Sequence, residues 1–544
     1  MPPLLAVYIV VMQAALSVSV QANCKLSSQG LQAYAKNGDT VFGALVPVHA
    51  QIILPTPNFR EPPSTGLCDK FYVEMYQCAL AMVLATEEIN QNPNLLPNVT
   101  LGFRILDSCY SDSLAAQSSM WLLSGEGDTI PNFSCQQPLK MAAVIGDLRS
   151  SSSVQVARIL GLSGIPQISY GSGLSLLSDK HQFRSFVRTN PSAERMPYVM
   201  AQLVIQFGWT WVGILASDSD YGIQGSQMLR EELAKHGVCV AFSVTLGEKN
   251  SERKMASTVE LIKKSTVTGI ALYLYHTEVH ELLDTLAAQA VTGKVWIMSH
   301  SLQGTVIFFK DNLRQLLNGS LAITLHKQQS QAFQTFLYKL HPSSNPSDIY
   351  MTAFWEHLFE CHWVANMSHQ NMTEKRNTMG MTKICTGSEQ LESLPSSVYN
   401  VDNFRFSYYA YTAVYVLAHA LDNMFSCTFQ NEKCPNHELH PWQLLSYVKR
   451  VHFVDPVGQE IFFNENGDPP VIFDIENWQV SPSGTGTPVN VGLYDERLPL
   501  HQRLTLNRSI IQWGSGYSQM LSIVLSVWRN SGLTWRELGA PVRM

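Results

Sequence analysis

The sequence predicts an α/β protein of two lobes, each a mostly parallel sheet flanked by helices. Short apolar, β-branched runs alternate with segments of helical period along most of the chain, the pattern of βαβ units, which build parallel sheets. The alternation comes as two arrays, one before and one after about Asn190. Between them lies no Pro/Gly/Ser linker long enough to separate independent domains. Two lobes joined by short crossovers form a hinged clamp, and open parallel sheets place ligands at the carboxyl ends of their strands.

Met1–Ala22 is apolar and closes on small residues, as a cleaved secretory leader does. It lacks a basic start, which leaves a signal anchor or a buried strand as the other readings. Residues 23–190 form the first part of lobe 1. Thr40–Val48 reads as a strand, Val73–Asn90 as a helix by the spacing of Met75, Ala79, Met82, Val83 and Ile89, and Asn98–Leu106 as a strand. Met141–Ile145, Val154–Leu162 and Gln167–Tyr170 make a strand–helix–strand unit, its helix following the hydroxyl run Ser150–Ser153.

Residues 191–325, the main part of lobe 2, alternate Thr210–Ala216, Gly225–His236, Val238–Val244, Met255–Lys264, Gly269–Tyr275, Glu278–Ala290 and Val295–Ser299 as strand, helix, strand, helix, strand, helix, strand. Residues 326–450 return to lobe 1. Within them Lys339–Leu391 has weak periodicity and reads as a disulfide-stapled excursion, Phe404–Met424 as a long apolar helix, Ser426–Pro435 as a clipped loop and Trp442–Arg450 as a basic-ended helix. Residues 451–513 cross back through lobe 2 and lobe 1. There Glu460–Phe463 and Val471–Trp478 flank the turn Asn464–Asp468 and read as a hairpin.

Six Asn-x-Ser/Thr sequons (Asn98, Asn132, Asn318, Asn366, Asn371, Asn507), the leader and ten cysteines together place the chain in the secretory pathway. In that compartment cysteines form disulfides rather than metal or redox clusters. A net charge of −6 offers no basic field for nucleic acid or anionic membranes. After the leader no stretch reaches the roughly twenty apolar residues that span a bilayer, so the sequence as written reads as luminal or secreted. It holds no G-x-S-x-G elbow, no H-E-x-x-H pair and no glycine-rich phosphate loop after a strand, which argues against an enzyme.

Several stretches in order, Asn37–Ala50 (NGDTVFGALVPVHA), Glu87–Cys109 (EEINQNPNLLPNVTLGFRILDSC), Ile165–Tyr170 (IPQISY), Phe183–Pro191 (FRSFVRTNP), Phe207–Gly222 (FGWTWVGILASDSDYG), Phe354–Cys361 (FWEHLFEC) and Pro441–Leu445 (PWQLL), resemble the extracellular ligand-binding module of class C G-protein-coupled receptors. The resemblance runs from about Cys24 to Trp513. It looks most like the vomeronasal type 2 and fish olfactory branch, with calcium-sensing, taste and amino-acid-sensing receptors close behind. It implies a periplasmic-binding-protein-like (type I) Venus flytrap that closes on an amino acid or related small molecule. It further implies a homo- or heterodimer of class C chains, at the extracellular face of the plasma membrane in a full-length parent receptor, through which alone a G protein is reached. A soluble ligand-binding or decoy protein, or a non-functional truncated product, is the second reading.

The resemblance also implies disulfides Cys68–Cys109, Cys361–Cys385 and Cys427–Cys434, and places Cys135 near an intermolecular bridge. Pairing within the chain, with Cys24, is the alternative for Cys135. Cys78 reads as a buried thiol. In relatives the cysteine matching Cys239 bonds a downstream cysteine-rich domain, whereas nothing cysteine-containing follows Cys434 here. Residues 514–544 lie outside the resemblance and read like intron or alternative-exon sequence, so the cysteine-rich and seven-helix domains are expected to be absent.

An α-amino acid needs donors for its carboxylate and acceptors or an aromatic face for its ammonium. Ser150 falls where the family holds the carboxylate with a hydroxyl and backbone N–H groups, and a helix N-terminus favours an anion there. The other reading makes the serines N-caps, Ser152 or Ser153 before Ser150. Gly171, Ser172 and Gly173 match the segment that offers backbone groups and a hydroxyl to the ligand. Gly173 stands at the usual hydroxyl position, Ser172 is a substitute donor, and an ordinary turn is the alternative. Tyr221 matches a second-lobe tyrosine packed over the ligand, against a role in lobe-edge packing. Two acidic positions of the family carry Ala193 and His300 here, which removes negative charge from the ammonium side. Some relatives bind calcium, for which Asp218 and Asp220 are the nearby carboxylates. Calcium takes about six to eight oxygens, and the sequence does not name the rest.

Overall fold

The computed structural model describes residues 32–56, 60, 66–124, 141–247, 250–274, 276–299, 311–363, 383–396, 398–426, 440–481 and 486–514. The first lobe opens with strands β1 (Ala33–Lys36) and β2 (Thr40–Val46), the antiparallel pair β3 (His49–Ile53) and β4 (Leu67–Phe71), and helix α1 (Val73–Gln91). It continues through β5 (Leu101–Asp107), α2 (Asp112–Leu122), β6 (Met141–Ile145), α3 (Ser150–Leu162), β7 (Gln167–Ser169) and β8 (Phe186–Arg188). Its sheet runs β1-β5-β2-β6-β7-β8, parallel except for β1. Every residue of β2 is buried. A strand covered on both faces needs no polar alternation, which is why it reads as one apolar run.

The second lobe follows with α4 (Met196–Gln206), β9 (Trp211–Ser217), α5 (Asp220–Lys235), β10 (Cys239–Leu246), α6 (Glu252–Lys264), β11 (Gly269–Tyr273), α7 (His276–Ala288), β12 (Val295–Met298), α8 (Asp311–Leu317) and β13 (Leu321–Leu325). Serine hydroxyls start two of these helices: Ser219 accepts from the Gly222 amide and Ser251 from the Lys254 amide, satisfying end donors that have no intrahelical partner. The chain then returns to the first lobe as α9 (Gln331–Tyr338), α10 (Met351–Phe359), α11 (Phe406–Phe425) and α12 (Pro441–Lys449). Helix α1 is buried without a break from Met75 to Thr86, and α11 from Ser407 to Ala418. The two pack on one another beside the sheet, so neither keeps a solvent face.

The last segment corrects the sequence reading. Strand β15 (Glu460–Phe462) pairs with β14 (His452–Val454), and β16 (Ile472–Val480) joins the second sheet between β13 and β17 (Gly486–Asp495), followed by β18 (Leu504–Leu506). The expected hairpin of Glu460–Phe463 with Val471–Trp478 does not form. The turn between them docks instead on the first lobe: the Arg188 amide donates to Gly467 O at 3.1 Å, and Arg188 Nε lies 2.6 Å from Asp468 Oδ1. The turn is a crossing between lobes. The second sheet thus runs β10-β9-β11-β12-β13-β16-β17-β18, parallel up to β13 and antiparallel beyond.

Three crossings therefore connect the lobes, at residues 189–195, 326–330 and 463–471. Buried polar groups tie them. Arg405, just before α11, bonds Thr324 Oγ1 at 2.7 Å and pairs with Glu476 of β16, while Asp474 Oδ1 lies 2.8 Å from His326 Nδ1 and Asp474 Oδ2 accepts from the Lys327 amide. Among the described residues no helix is long and apolar enough to cross a membrane.

Candidate functional site

The carboxyl edges of the two sheets meet at Ala193. Its N–H donates to Gly173 O at 2.7 Å, on the loop after β7, and its carbonyl lies 3.5 Å from the Tyr273 hydroxyl, at the end of β11. The Tyr221 ring, in the first turn of α5, packs on Tyr273 with centroids 4.7 Å apart. Gly173, Ala193 and Tyr221 of the sequence-derived set are therefore linked by direct contacts across the lobes. Tyr221 is only 5% exposed, so most of its ring faces Tyr273 and the protein interior.

Ser150 is the first residue of α3, preceded by Arg149 in an extended conformation. The helix starts four residues earlier than its apolar period indicates. Ser151 and Ser152 both donate to Asp112 Oδ1, at 2.8 and 2.7 Å, and Ser153 Oγ accepts from the Asp147 amide at 3.0 Å. These partners lie outside the helix, so the hydroxyls do not compete for its backbone. None of the serines is the N-cap. Ser150 Oγ accepts from the Leu174 amide at 3.2 Å, which fixes the loop Gly171–Gly173 against the end of α3. Its own hydroxyl proton remains available as a donor.

Ser172 points away from solvent. It is fully buried, with Oγ 2.7 Å from Ser153 Oγ and 3.1 Å from Asp147 O, so it braces the loop from behind. A Cβ at Gly171 would lie 2.4 Å from Leu148 Cδ1 and 3.0 Å from Leu148 Cα, so a side chain there requires Leu148 to shift. His300 lies outside the described residues, as do Cys427, Cys434, Cys24, Cys135, Asn132, Asn366 and Asn371. Cys68–Cys109 and Cys361–Cys385 are bonded, Cys78 is a buried thiol and Cys239 an exposed one. Asp218 and Asp220 are both exposed beside Ser219. Among the described residues the one group of three close metal-ligand atoms is Cys68, Asp107 and Cys109, whose sulfurs are already joined to each other.

Sequence reasoning passed over three charged residues at this edge. Arg149 donates from Nη1 to Tyr110 O at 2.9 Å and lies 5.1 Å from the centre of the Tyr110 ring. Asp147, fully buried behind Ser150, has its carboxyl pushed up to about 6 by burial, against backbone hydrogen bonds that favour the ionised form. Glu74, in the first turn of α1, is pushed up to about 8 by burial alone. The available signal for Glu74 was a charge inside an otherwise apolar helix.

All three crossings also line a pocket that includes Thr189, His326, Tyr409, Phe463, Pro470 and Arg497. None of the sequence-derived ligand residues lines it.

Residues 77–481 match the family described as the receptor family ligand binding region, so the chain belongs to that family. Its relatives make it a class C G-protein-coupled receptor extracellular domain, not an enzyme. It is 31% identical to the extracellular calcium-sensing receptor of Sus scrofa over 509 residues, 89% of this chain and 47% of that protein. It is 30% identical to vomeronasal type-2 receptor 26 of Mus musculus, over 82% of this chain and 52% of that protein. Taste receptor type 1 member 2 of Gorilla gorilla gorilla is 30% identical, over 81% and 50%. The chain spans about half the length of these relatives, and the near-equal identities do not separate the branches.

Proposed function

We propose that this chain is the ligand-binding clamp of a chemosensory or nutrient-sensing receptor, exposed outside the cell and closing on an amino acid or related small molecule. The carrying observation is Ala193, bonded on one side to the Gly173 carbonyl of the first lobe and on the other to the Tyr273 hydroxyl of the second. A solute between Ser150 with the Gly171–Gly173 backbone on one wall and the Tyr221–Tyr273 pair on the other touches both lobes. Such a solute binds the closed arrangement better than the open one, and that difference in affinity drives closure. Closure then reorients a dimer of class C chains, and G-protein signalling belongs to a longer parent protein.

The Ser150 hydroxyl and the first amides of α3 favour a carboxylate. Ala193 supplies no charge to an ammonium, so simple neutral amino acids are expected to bind weakly, and His300→Glu to strengthen them. Calorimetry of the purified secreted chain against a panel of free amino acids tests the reading. Ser150→Ala and Tyr221→Ala should each weaken the binding that is found. Tight binding that neither substitution changes overturns the site.

A further inference from the structure

We infer that the pocket walled by the three crossings is a second ligand site, separate from the cleft, for a small uncharged aromatic molecule that carries a carbonyl acceptor. The pocket holds about 580 Å³ of empty space counted out to its mouth, within the range of small-molecule sites. Each crossing supplies part of the wall, Thr189 from the first, Gln328 from the second and Pro470 from the third, and Tyr409 of α11 and Ile461 of β15 complete it. None of Ser150, Gly171, Ser172, Gly173, Ala193 and Tyr221 lines it. Hydrogen bonds hold these walls in place. Thr189 Oγ1 donates to Tyr409 O at 2.8 Å, the Gln328 N–H to Phe404 O at 3.2 Å, and the Tyr408 hydroxyl to Asp455 Oδ2 at 2.7 Å. The site is therefore formed before anything enters it.

The lining decides what fits. Much of it is ring and aliphatic carbon, from Tyr408, Phe462, Phe463 and the Pro469–Pro470 pair, surfaces that suit a flat arene. The charged groups on it are already matched within the protein. Arg497 holds both oxygens of Asp495, at 3.0 and 2.7 Å, Glu460 Oε1 lies 2.7 Å from His452 Nε2, and His326 Nδ1 lies 2.8 Å from Asp474 Oδ1. A charged ligand would leave water without gaining a free counter-charge, which favours an uncharged one. Tyr409 supplies the specific contact. It is only 7% exposed and lines the pocket, yet among the described residues its hydroxyl has no hydrogen-bond partner. A buried phenol normally finds one, so this O–H gains from an incoming carbonyl. The side-chain amides of Gln328 and Gln459, both half-buried in the wall, also lack partners among the described residues, and each offers a donor and an acceptor. An aryl amide meets every one of these conditions.

Benzamide, benzoate and benzylammonium share one ring and differ in charge. In ligand-detected NMR titrations of the purified chain, benzamide should bind at millimolar concentration or below and the two ions at least about tenfold more weakly. Tyr409→Phe keeps the ring, removes the hydroxyl, and should weaken benzamide by roughly three- to tenfold, the loss of one hydrogen bond. Ile461→Trp fills the pocket and should abolish the binding, whereas Ser150→Ala and Tyr221→Ala should leave it unchanged. Thermal melts establish that each variant folds, and Tyr409→Phe decides alone if Ile461→Trp does not. Equal binding of all three probes, no binding of benzamide at millimolar concentration, or binding that ignores both pocket substitutions overturns the inference. Benzamide that is weakened by Ser150→Ala or Tyr221→Ala and not by the pocket substitutions sits in the cleft, which overturns the second site and leaves the clamp standing.

Discussion

Arg188 is the residue whose loss the fold should tolerate least. It ends β8 with its side chain fully buried, and it reaches four groups: Asp468 Oδ1 at 2.6 Å, Ser172 O at 2.9 Å, Leu174 O at 3.0 Å, and the Ser178 hydroxyl. Asp468 lies on the third crossing, and Ser172 and Leu174 belong to the loop after β7, so one guanidinium ties that loop to the crossing. Removing one member of a buried ion pair strands the other in a low-dielectric interior, at a cost of about 3–5 kcal/mol. Arg188→Met should therefore lower the unfolding free energy by about 4 kcal/mol, read by urea denaturation of the purified chain with tryptophan fluorescence. Arg188→Met with Asp468→Leu removes both charges, and replacing a buried pair by apolar groups is often near neutral. The double variant should regain at least ~2 kcal/mol over either single one. Arg195–Glu496, at 2.7 Å nearly as short but with the arginine 47% exposed, is the control. Water screens that pair, and Arg195→Met should cost under about 1 kcal/mol. A loss below about 1 kcal/mol in Arg188→Met, or simple additivity in the double variant, would refute the reasoning.

Two further outcomes follow from the same structure. Asp147 is raised from 3.8 to about 6 on folding, so between those values the native state holds a proton that the unfolded chain has released, and stability falls as pH rises through that window. Two pKa units correspond to about 3 kcal/mol. Asp147→Asn should therefore be more stable than wild type by roughly that amount at pH 8 and by little at pH 4, in thermal melts taken across the range. Of the described sequons, Asn98 and Asn507 are exposed, whereas Asn318 is half-buried with Oδ1 accepting from the Val480 amide at 3.2 Å. Glycopeptide mass spectrometry should find glycan at Asn98 and Asn507 and an unmodified Asn318. A fully occupied Asn318 contradicts its placement against β16.

What could be read from the sequence was whatever local pattern decides. The strands at Thr40, Met141, Val295 and Trp211 showed themselves because parallel strands covered on both faces are apolar throughout. The helices over Val73 and Phe406 did so by length and apolar content. The turn at Asn464–Asp468 was equally visible, since Asn464, Gly467 and Asp468 are turn residues. Its partner was not, because a turn signal says that the chain bends and not where the following strand lies. That choice was made by Arg188, some 280 positions away in sequence, through Asp468. The start of α3 was hidden for a related reason. Four serines look like caps until Asp112, on another helix, is known to accept from two of them.

The site divides along the same line. Ser150, Gly173 and Tyr221 were reachable through a pattern shared with a family, and Ala193 and His300 stood out only as departures from it. Glu74 and Asp147 carry no such mark: each is an acid beside a helix start, the most ordinary place for one. What distinguishes them is burial, which comes from elements far apart in the chain and raises both carboxyls on the same edge of the first lobe.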